Sequence, residues 1–594
     1  MDIDKFISGI TAANGNHPDR LLQYLCEIQY QYSCISQQAI QLLSEKLSLS
    51  EAHIQGVVGF YSFLHDTARG SYDILFSDNI TDQMSGSREL LDRLCSKLDI
   101  KPGIPRSDGR VTVDITSCTG LCDQGPAMLV NGWAITRLDE GRVDTIASLV
   151  ESQTAIDQWP TEFFQIEDNI QRRDILLLSK VEDGAALKTL LEYSAEHVLQ
   201  QIELSDLRGR GGAGFKTGMK WRFCKQAKAE QRFVVCNADE GEPGTFKDRV
   251  LLSSYADRVF EGMTVCAGII GAAQGFLYLR AEYRYLRKSL EQVLQKRRDA
   301  GLLGENILGK SGFNFDIEIH MGAGAYVCGE ESSLIESLEG KRGIPRKRPP
   351  FPVTQGYKNQ PTVVNNVETF MAASQITMHG SDCFQCCGTE FSSGTKLLSI
   401  SGDCERPGIY EYPFGVSIQQ ILDDCGAKDT QAVQLSGAAG TTISAEEFSR
   451  AISFEDLATG GSFMVFNKQR DLLDMVLNFS HFFVHESCGF CTPCRVGCSL
   501  MKDLLNKVHS GHASQYDLDE IRKIARLMQA ASHCGLGTTA PTAVLDTLNK
   551  FPHIYQQRLT HSSYEPAFDL DAALQDARDI TGRDDAGAHI GTES

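Results

Sequence analysis

Three cysteines at two-residue gaps, Cys488-Gly-Phe-Cys491-Thr-Pro-Cys494, constrain this chain more than any other feature. Thiolates spaced so closely wrap the backbone around one soft metal centre, a spacing used for iron–sulfur clusters. A fourth ligand is required, and two candidates exist. Cys498 completes a local C-x2-C-x2-C-x3-C run, although Ser499 stands where ferredoxin runs carry proline. Cys534, in His533-Cys534-Gly535-Leu536-Gly537, is the distant alternative. The rival chemistry is a structural zinc site, but such sites usually pair two C-x2-C knuckles, so three close cysteines plus one favour a cluster.

The remaining cysteines, out of 19 in 594 residues, are too thinly spread for a disulfide scaffold and fit a reducing compartment. A chain of this length is expected to form roughly three to five domains. Its net charge of −20 argues against binding nucleic acid or anionic lipid through its overall field. The longest apolar stretch, residues 264–279, is interrupted by Gly268, Gly271, Gln274 and Gly275, so no membrane span is expected. The opening Met-Asp-Ile-Asp-Lys lacks a basic region and an apolar run, which predicts a cytoplasmic protein rather than a secreted one.

Apolar periodicity predicts helices over residues 18–64, with Ser48 to Glu51 read as a capping box that opens the last of them. Short strands are expected at 72–76 and 111–116, with a helix at 87–98 between them. Residues 150–180 show no period and read as a linker. From about 185 to 390 strand runs at 233–236, 275–279 and 315–321 alternate with helices, the pattern of an α/β layered domain. Residues 395–465 are strand-rich with glycine turns, 472–557 are helical, and the acidic tail carries one weak helix at 569–578.

Five polar or glycine-rich segments sit in the α/β region. Gly209-Arg210-Gly211-Gly212-Ala-Gly214-Phe215 satisfies G-x-G-x-x-G but trails a helix rather than a strand, so it departs from the dinucleotide fingerprint. Its glycines still let backbone approach a flat or phosphorylated ligand, and the next helix carries Lys220. The second loop, Gly322-Ala-Gly324-Ala-Tyr326-Val-Cys328-Gly329, joins a strand to a helix that starts near Glu330 and Glu331. Two glutamates there would repel a phosphate; they suit ribose or amide groups, or merely complement the helix dipole. The acidic turn Asn237-Ala-Asp239-Glu240-Gly-Glu242-Pro-Gly-Thr leaves the end of a strand, where sheet-based sites are built. Arg346-Lys-Arg348-Pro-Pro-Phe351 adds positive charge beside an aromatic ring, and Asn365-Asn366-Val-Glu-Thr369 offers further polar groups.

Taken together, the first glycine loop, the acidic turn, the second glycine loop, Asn365–Thr369 and the cysteine run from Glu486 to Arg495 resemble, in order, five motifs of the NADH-binding flavoprotein subunit of respiratory complex I and its relatives, over residues 180–560. The resemblance implies FMN, one [4Fe–4S] cluster and NAD(H) as substrate. It places FMN contacts on Gly209, Arg210, Gly211, Gly212, Gly214, Lys220, Asn237, Asp239, Glu240, Tyr326, Gly329, Glu330, Asn365, Asn366 and Thr369. NAD(H) is then held by Phe215, Lys220, Phe223, Glu242, Glu331 and Phe351, with Glu242, Glu331 and Lys220 closest to the chemistry. The family's fourth cluster ligand corresponds to Cys534.

The first 150 residues look like the thioredoxin-like [2Fe–2S] subunit of the same complex, on the strength of Ile54-Gln-Gly-Val-Val-Gly-Phe-Tyr61-Ser-Phe and Ser117-Cys118-Thr-Gly-Leu-Cys122. Ser77 and Asp82 stand where that family carries its first cysteine pair, so a [2Fe–2S] cluster at Cys118 and Cys122 is not expected. The fusion order and Cys534-Gly-Leu-Gly-Thr-Thr-Ala-Pro resemble the diaphorase subunit of soluble NAD-reducing [NiFe] hydrogenases. That implies an iron–sulfur partner subunit and, through it, a hydrogenase module; an NAD-dependent formate dehydrogenase or a fused complex I-type input module are the alternatives. The expected organisation is α/β and multi-domain. It comprises a helical region (1–68), a thioredoxin-like domain (69–150), a linker (151–180) and a Rossmann-like FMN/NAD domain (181–394). A β-grasp insert (395–470), a helical [4Fe–4S] domain (471–558) and a tail (559–594) follow. Cys383, Cys386 and Cys387 have no assigned role; a C-x2-C-C cluster on a loop is a candidate for redox sensitivity.

Overall fold

Four parallel strands, Phe233–Ala238, Gln274–Leu279, Asp316–Met321 and Thr362–Asn366, make the sheet from which the polar motifs emerge. The computed structural model describes residues 2–178, 181–560 and 570–584. Phe233–Ala238 and Gln274–Leu279 are largely buried on both faces, which is why they read as apolar runs, whereas Asp316–Met321 alternates, with Ile317, Ile319 and Met321 buried. Across the sheet the order is Asp316–Met321, Gln274–Leu279, Phe233–Ala238, Thr362–Asn366. The chain therefore steps outward from Phe233–Ala238 twice, then returns to its other side. The strand order reverses between Ala238 and Asn366, and crevices that bind ligands form at such switch points, beyond the strands' carboxyl ends.

Helices Ala256–Ile270 and Val367–His379 cover this sheet and are buried nearly all round. They approach so closely that a Cβ on Gly262 would lie 2.0 Å from the Phe370 carbonyl oxygen, so only glycine fits there. A second, six-stranded sheet runs in the order Thr441–Ser444, Thr430–Leu435, Ser462–Asn467, Thr395–Gly402, Gly408–Pro413, Ile170–Arg172. Residues 151–180 thus contribute its edge strand, a three-residue element too short to show any alternation in sequence.

The N-terminal sheet has the order Val111–Thr116, Tyr72–Ser77, Met128–Val130, Trp133–Ile135, its first pair parallel and the others antiparallel. Before it come four helices, Ile3–Asn14, Leu21–Tyr32, Gln37–Leu47 and Glu51–Val58. The expected capping box at Ser48 is corrected by two residues. Ser48 closes the preceding helix in a left-handed conformation (φ 54°), and Ser50 caps the next by accepting from the His53 amide. These helices support the flavoprotein-like layer directly. Gln23 brackets Met321, donating to its carbonyl at 2.8 Å and accepting from its amide at 3.0 Å. The Ser62 and Phe63 amides donate to the Gly324 and Ala323 carbonyls.

The C-terminal region is a group of helices, Leu472–Glu486, Thr492–His509, Gln515–Ala531, Gly535–Thr539 and Thr542–Lys550, with Pro552–Gln556 at its end. The tail helix spans Leu570–Thr581; residues 561–569 and 585–594 lie outside the described residues. Among the described residues no helix is long and apolar enough to cross a membrane.

Candidate functional site

At the switch point strands Phe233–Ala238 and Thr362–Asn366 run side by side, with Asn237 opposite Asn366. Gly211 lies against Asn366: a Cβ there would come within 3.3 Å of the asparagine Cβ. Gly212, at φ 129° with nothing within 4 Å, keeps the loop's backbone open to solvent. From the other side Asn237 Nδ2 donates to the Gly329 carbonyl at 2.8 Å, tying the acidic turn to the second glycine loop. The three motifs therefore meet at one crevice.

The helix that follows the second loop starts with its two glutamates already balanced. Glu330 caps it by accepting from the Ser332 and Ser333 amides, both at 3.0 Å, and its other oxygen lies 3.2 Å from Arg348 Nη1. Glu331 pairs with Lys220 Nζ at 3.0 Å, and Lys220 also donates to the Val364 carbonyl. The repulsion expected of an acidic pair is thus offset by Lys220 and Arg348. Phe215, Phe223 and Phe351 stand about half exposed, available to a planar ligand. Arg346 is different: it is spent on Glu336, Glu339 and the Gly356 carbonyl inside the fold.

The sequence candidates divide cleanly by orientation. Arg210 is buried under Phe384, Phe414 and Phe454 and donates to the Arg208 and Ser393 carbonyls. Its own amide donates to Thr369 Oγ1 at 2.9 Å. Asn365 accepts from Trp221 Nε1. Glu240 accepts from the Asp248 and Arg249 amides and from the Tyr283 hydroxyl, so it caps a helix rather than facing the crevice. These side chains build the walls. Glu242 instead accepts from the Tyr326 hydroxyl at 2.5 Å and the Ala439 amide at 3.0 Å. Asp239 keeps a buried Oδ2 without a hydrogen-bond partner among the described residues, and burial holds its carboxyl well above the usual range. An orphaned polar atom 4.0 Å from where a Cβ on Gly329 would stand is what a polar planar ligand on the second glycine loop would complete, so these residues fit FMN.

Burial raises the carboxyls of Glu240 and Glu242 to about 7 each. Their folded values exceed the unfolded value of 4.5, so the native chain holds protons there that the unfolded chain releases. That stabilisation is complete below pH 4.5 and is lost as the pH climbs through 7. Glu242→Gln will therefore show a smaller fall in denaturant midpoint between about pH 5 and 7 than the unaltered chain. An unchanged fall would place the effect on the other raised carboxyls, Glu240 and Asp239 among them.

Beyond the second loop lies a small pocket lined by Cys488, Cys491, Cys494 and Cys534 with Val327, Pro345, Ser487, Phe490, His533 and Leu536. Cys491 caps helix Thr492–His509, Cys494 occupies its first turn, and Cys534 caps Gly535–Thr539. Those two helices meet closely: a Cβ on Gly537 would lie 2.8 Å from that of Cys494. Cys498, one turn further on, is buried and does not line the pocket. Among the described residues no three His, Cys, Asp or Glu side chains converge on a point suited to one ion. A ring of four thiols around a pocket suits a cluster better than a lone zinc. Tyr326–Gly329 joins the two places, since Tyr326 and Gly329 border the crevice while Val327 lines the thiol pocket.

Several structural residues at this site had no sequence signal. Lys247, Lys396 and Glu368 form a buried ionic group behind the first glycine loop, with Lys396 Nζ also 3.3 Å from the Arg210 carbonyl. Glu486 accepts from Ser117 Oγ and from the Tyr326 amide, both at 2.9 Å. Cys383, Cys386 and Cys387 each bond to a carbonyl one turn back and do not converge on the crevice.

Comparison with known proteins agrees across nearly the whole chain. The Nuo51 FMN-binding domain matches residues 202–375, the thioredoxin-like [2Fe-2S] ferredoxin family residues 7–151, and the NADH-ubiquinone oxidoreductase-F iron-sulfur binding region residues 474–558. The alpha subunit of the NAD-reducing hydrogenase HoxS from Cupriavidus necator is 43% identical over 587 residues, which spans 96% of this chain and 98% of that one. An NADH-quinone oxidoreductase subunit from Aquifex aeolicus is 40% identical, over 65% of this chain and 92% of its own. The solved NAD+-reducing [NiFe]-hydrogenase in its H2-reduced state contains a chain that superposes with a TM-score of 0.90 at 42% identity, covering 97% of this chain and all of that one.

Proposed function

The chain belongs to the family of NAD-reducing hydrogenase alpha subunits, and on that footing we propose that it is the NAD(H)-facing diaphorase of a cytoplasmic [NiFe] hydrogenase, catalysing H2 + NAD+ = H+ + NADH together with its partner subunits. The observation that carries this reading is the shared segment Tyr326–Gly329, which borders the crevice on one side and the four-thiol pocket on the other. The chemistry FMN supplies when bound is exchange of a hydride with nicotinamide and of single electrons with a cluster, and a [4Fe–4S] cluster supplies one-electron relay to a partner iron–sulfur protein.

The protein's part is to bind, orient and exclude water. Gly209, Gly211, Gly212, Gly214, Asn237, Asp239, Tyr326, Gly329 and Asn366 hold the flavin, on the walls set by Arg210, Glu240, Glu330, Asn365 and Thr369. Phe215, Phe223 and Phe351 cover the nicotinamide dinucleotide, and the Lys220–Glu331 pair orients it. Glu242, with a carboxyl raised to about 7 and a tyrosine hydroxyl on it, would hold or release a proton at its own carboxyl. Cys488, Cys491, Cys494 and Cys534 hold the cluster. Residues 395–470 form a β-grasp insert, a reading supported by their hairpin, crossing helix Ile418–Cys425 and a last strand parallel to the first.

Glu331→Ala tests the nicotinamide assignment. Removing one charge-assisted contact will lower kcat/KM for NADH in dye reduction by about tenfold. FMN content per chain will be unchanged. If FMN is lost before the kinetics change, Glu331 serves the fold and the assignment fails.

A further inference from the structure

Ser77, Asp82, Cys118 and Cys122, at the four positions where the thioredoxin-like family carries cluster ligands, come together in one buried spot. The Ser77 hydroxyl donates to Asp82 Oδ2 at 2.6 Å, and Asn79 Nδ2 donates to Cys122 Sγ at 3.1 Å. The two sulfurs lie 3.5 Å apart. A [2Fe–2S] cluster needs four ligands facing two irons. Here only two of the four donors are thiols and they touch each other, while Ser77 bonds one Asp82 oxygen and Asp82 Oδ1 has no hydrogen-bond partner among the described residues. The donor set does not fit the cluster that the fold family implies.

What remains is a pair of thiols in an unusual place. Both belong to the core of the parallel-sheet layer, not to that of their own domain. Cys118 is fully buried and Cys122 is 8% exposed. The Gly120 amide lies 3.4 Å from Cys118 Sγ, and Arg280 Nη2 donates to the Cys118 carbonyl at 2.8 Å. The hydrogen bond from Cys122, reinforced by Arg280 and by the Gly120 and Gly244 amides, overrides burial and pulls the Cys118 thiol down to about 6. Asp82, Asp123 and Glu242 are the acidic groups nearest the pair, and burial holds Asp82 well above the usual carboxylate range.

We propose that Cys118 and Cys122 form a reversible dithiol–disulfide couple set behind the acidic turn of the flavin crevice. The sulfurs need approach by only about 1.5 Å to reach bonding distance. A small oxidant is required because the pair is enclosed; hydrogen peroxide is the class that fits. The Cys118 sulfur attacks one peroxide oxygen, the O–O bond breaks, and a sulfenic acid and one water result. The Cys122 thiol then attacks the sulfenic sulfur, the S–S bond forms, and a second water leaves. Two electrons, one from each sulfur, reduce one peroxide to two waters; a small dithiol returns them. The bond would pull on a loop tied at Ser117 to Glu486 and at Asp123 to Arg249, 2.9 Å in each case. The couple therefore reaches both helix Leu472–Glu486, which leads into the thiol pocket, and the flavin layer.

Both cysteines lie on the tryptic fragment 111–137, which contains no other cysteine and no internal Lys or Arg. The native complex, prepared anaerobically, is treated with hydrogen peroxide, then denatured in iodoacetamide without reductant and digested. The fragment will lose both alkyl groups and be lighter by two hydrogens than the unalkylated dithiol form. Dithiothreitol before alkylation will restore both labels. A Cys122→Ser variant will stop at a sulfenic acid that dimedone labels. The proposal is overturned if the fragment stays doubly alkylated at peroxide levels that oxidise the exposed Cys386. It is equally overturned if Cys118→Ser lowers the iron and sulfide content of the complex.

Discussion

Replacing Cys534 by serine will separate the two halves of the reaction. Hydrogen-driven NAD+ reduction by the complex will fall on the order of 100-fold or more, since even indirect disturbance of metal ligands costs 10–100-fold. NADH will still bleach the flavin, because the crevice shares only Val327's segment with the pocket that holds Cys534. Iron per chain will drop by the content of one cluster. Cys498→Ser will change none of these, because Cys498 is buried on the turn beyond the pocket. If Cys498→Ser loses the iron and Cys534→Ser keeps it, the ligands are the local run.

The largest stability effect will come from Glu368→Ala. Glu368 is buried between Lys247, at 3.1 Å, and Lys396, and its Oε1 accepts from the Leu397 amide at 3.0 Å. Burial alone would raise its carboxyl, but Lys396, Lys247 and Arg210 outweigh that and hold it below the usual value. Lys247 has a second partner in Asp248 at 2.6 Å, but Lys396 has only Glu368 as an ion-pair partner among the described residues, and burial brings Lys396 down to about 7. Removing Glu368 strands the buried Lys396 while Lys247 keeps Asp248, a loss of about 3–5 kcal/mol. The denaturant midpoint will fall, and FMN will be released at lower denaturant, because Lys396 and Lys247 also hold the Arg210 carbonyl and Asn366 Oδ1. Glu368→Gln combined with Lys396→Met will recover part of the loss, since it removes a cation along with the anion. A midpoint unchanged by Glu368→Ala would show that water reaches the lysines.

How much of this was legible in the sequence depended on distance along the chain. The buried strands of the parallel sheet announced themselves because a strand covered on both faces is an uninterrupted apolar run, as in Phe233–Ala238. Met128–Val130 and Ile170–Arg172 did not, since three residues carry no period. Spacing exposed Cys488, Cys491 and Cys494 but left Cys498 and Cys534 level; only the docking of Gly535–Thr539 against Thr492–His509 puts Cys534 on their pocket. Glu240 and Glu242 sit two residues apart in one turn, yet one caps a helix and the other meets Tyr326. That difference is set by backbone direction at the strand's end, which residue types do not reveal. Lys247, Glu368 and Lys396 come from three separate elements, so no local pattern brings them together.

The most direct test of the central claim uses the native complex that contains this chain, under anaerobic conditions with NAD+ and one electron donor at a time. With hydrogen as sole donor, absorbance of NADH will rise, and with formate it will not. NADH formed from formate but not from hydrogen would leave the crevice and the thiol pocket in place and contradict the assignment to a hydrogenase.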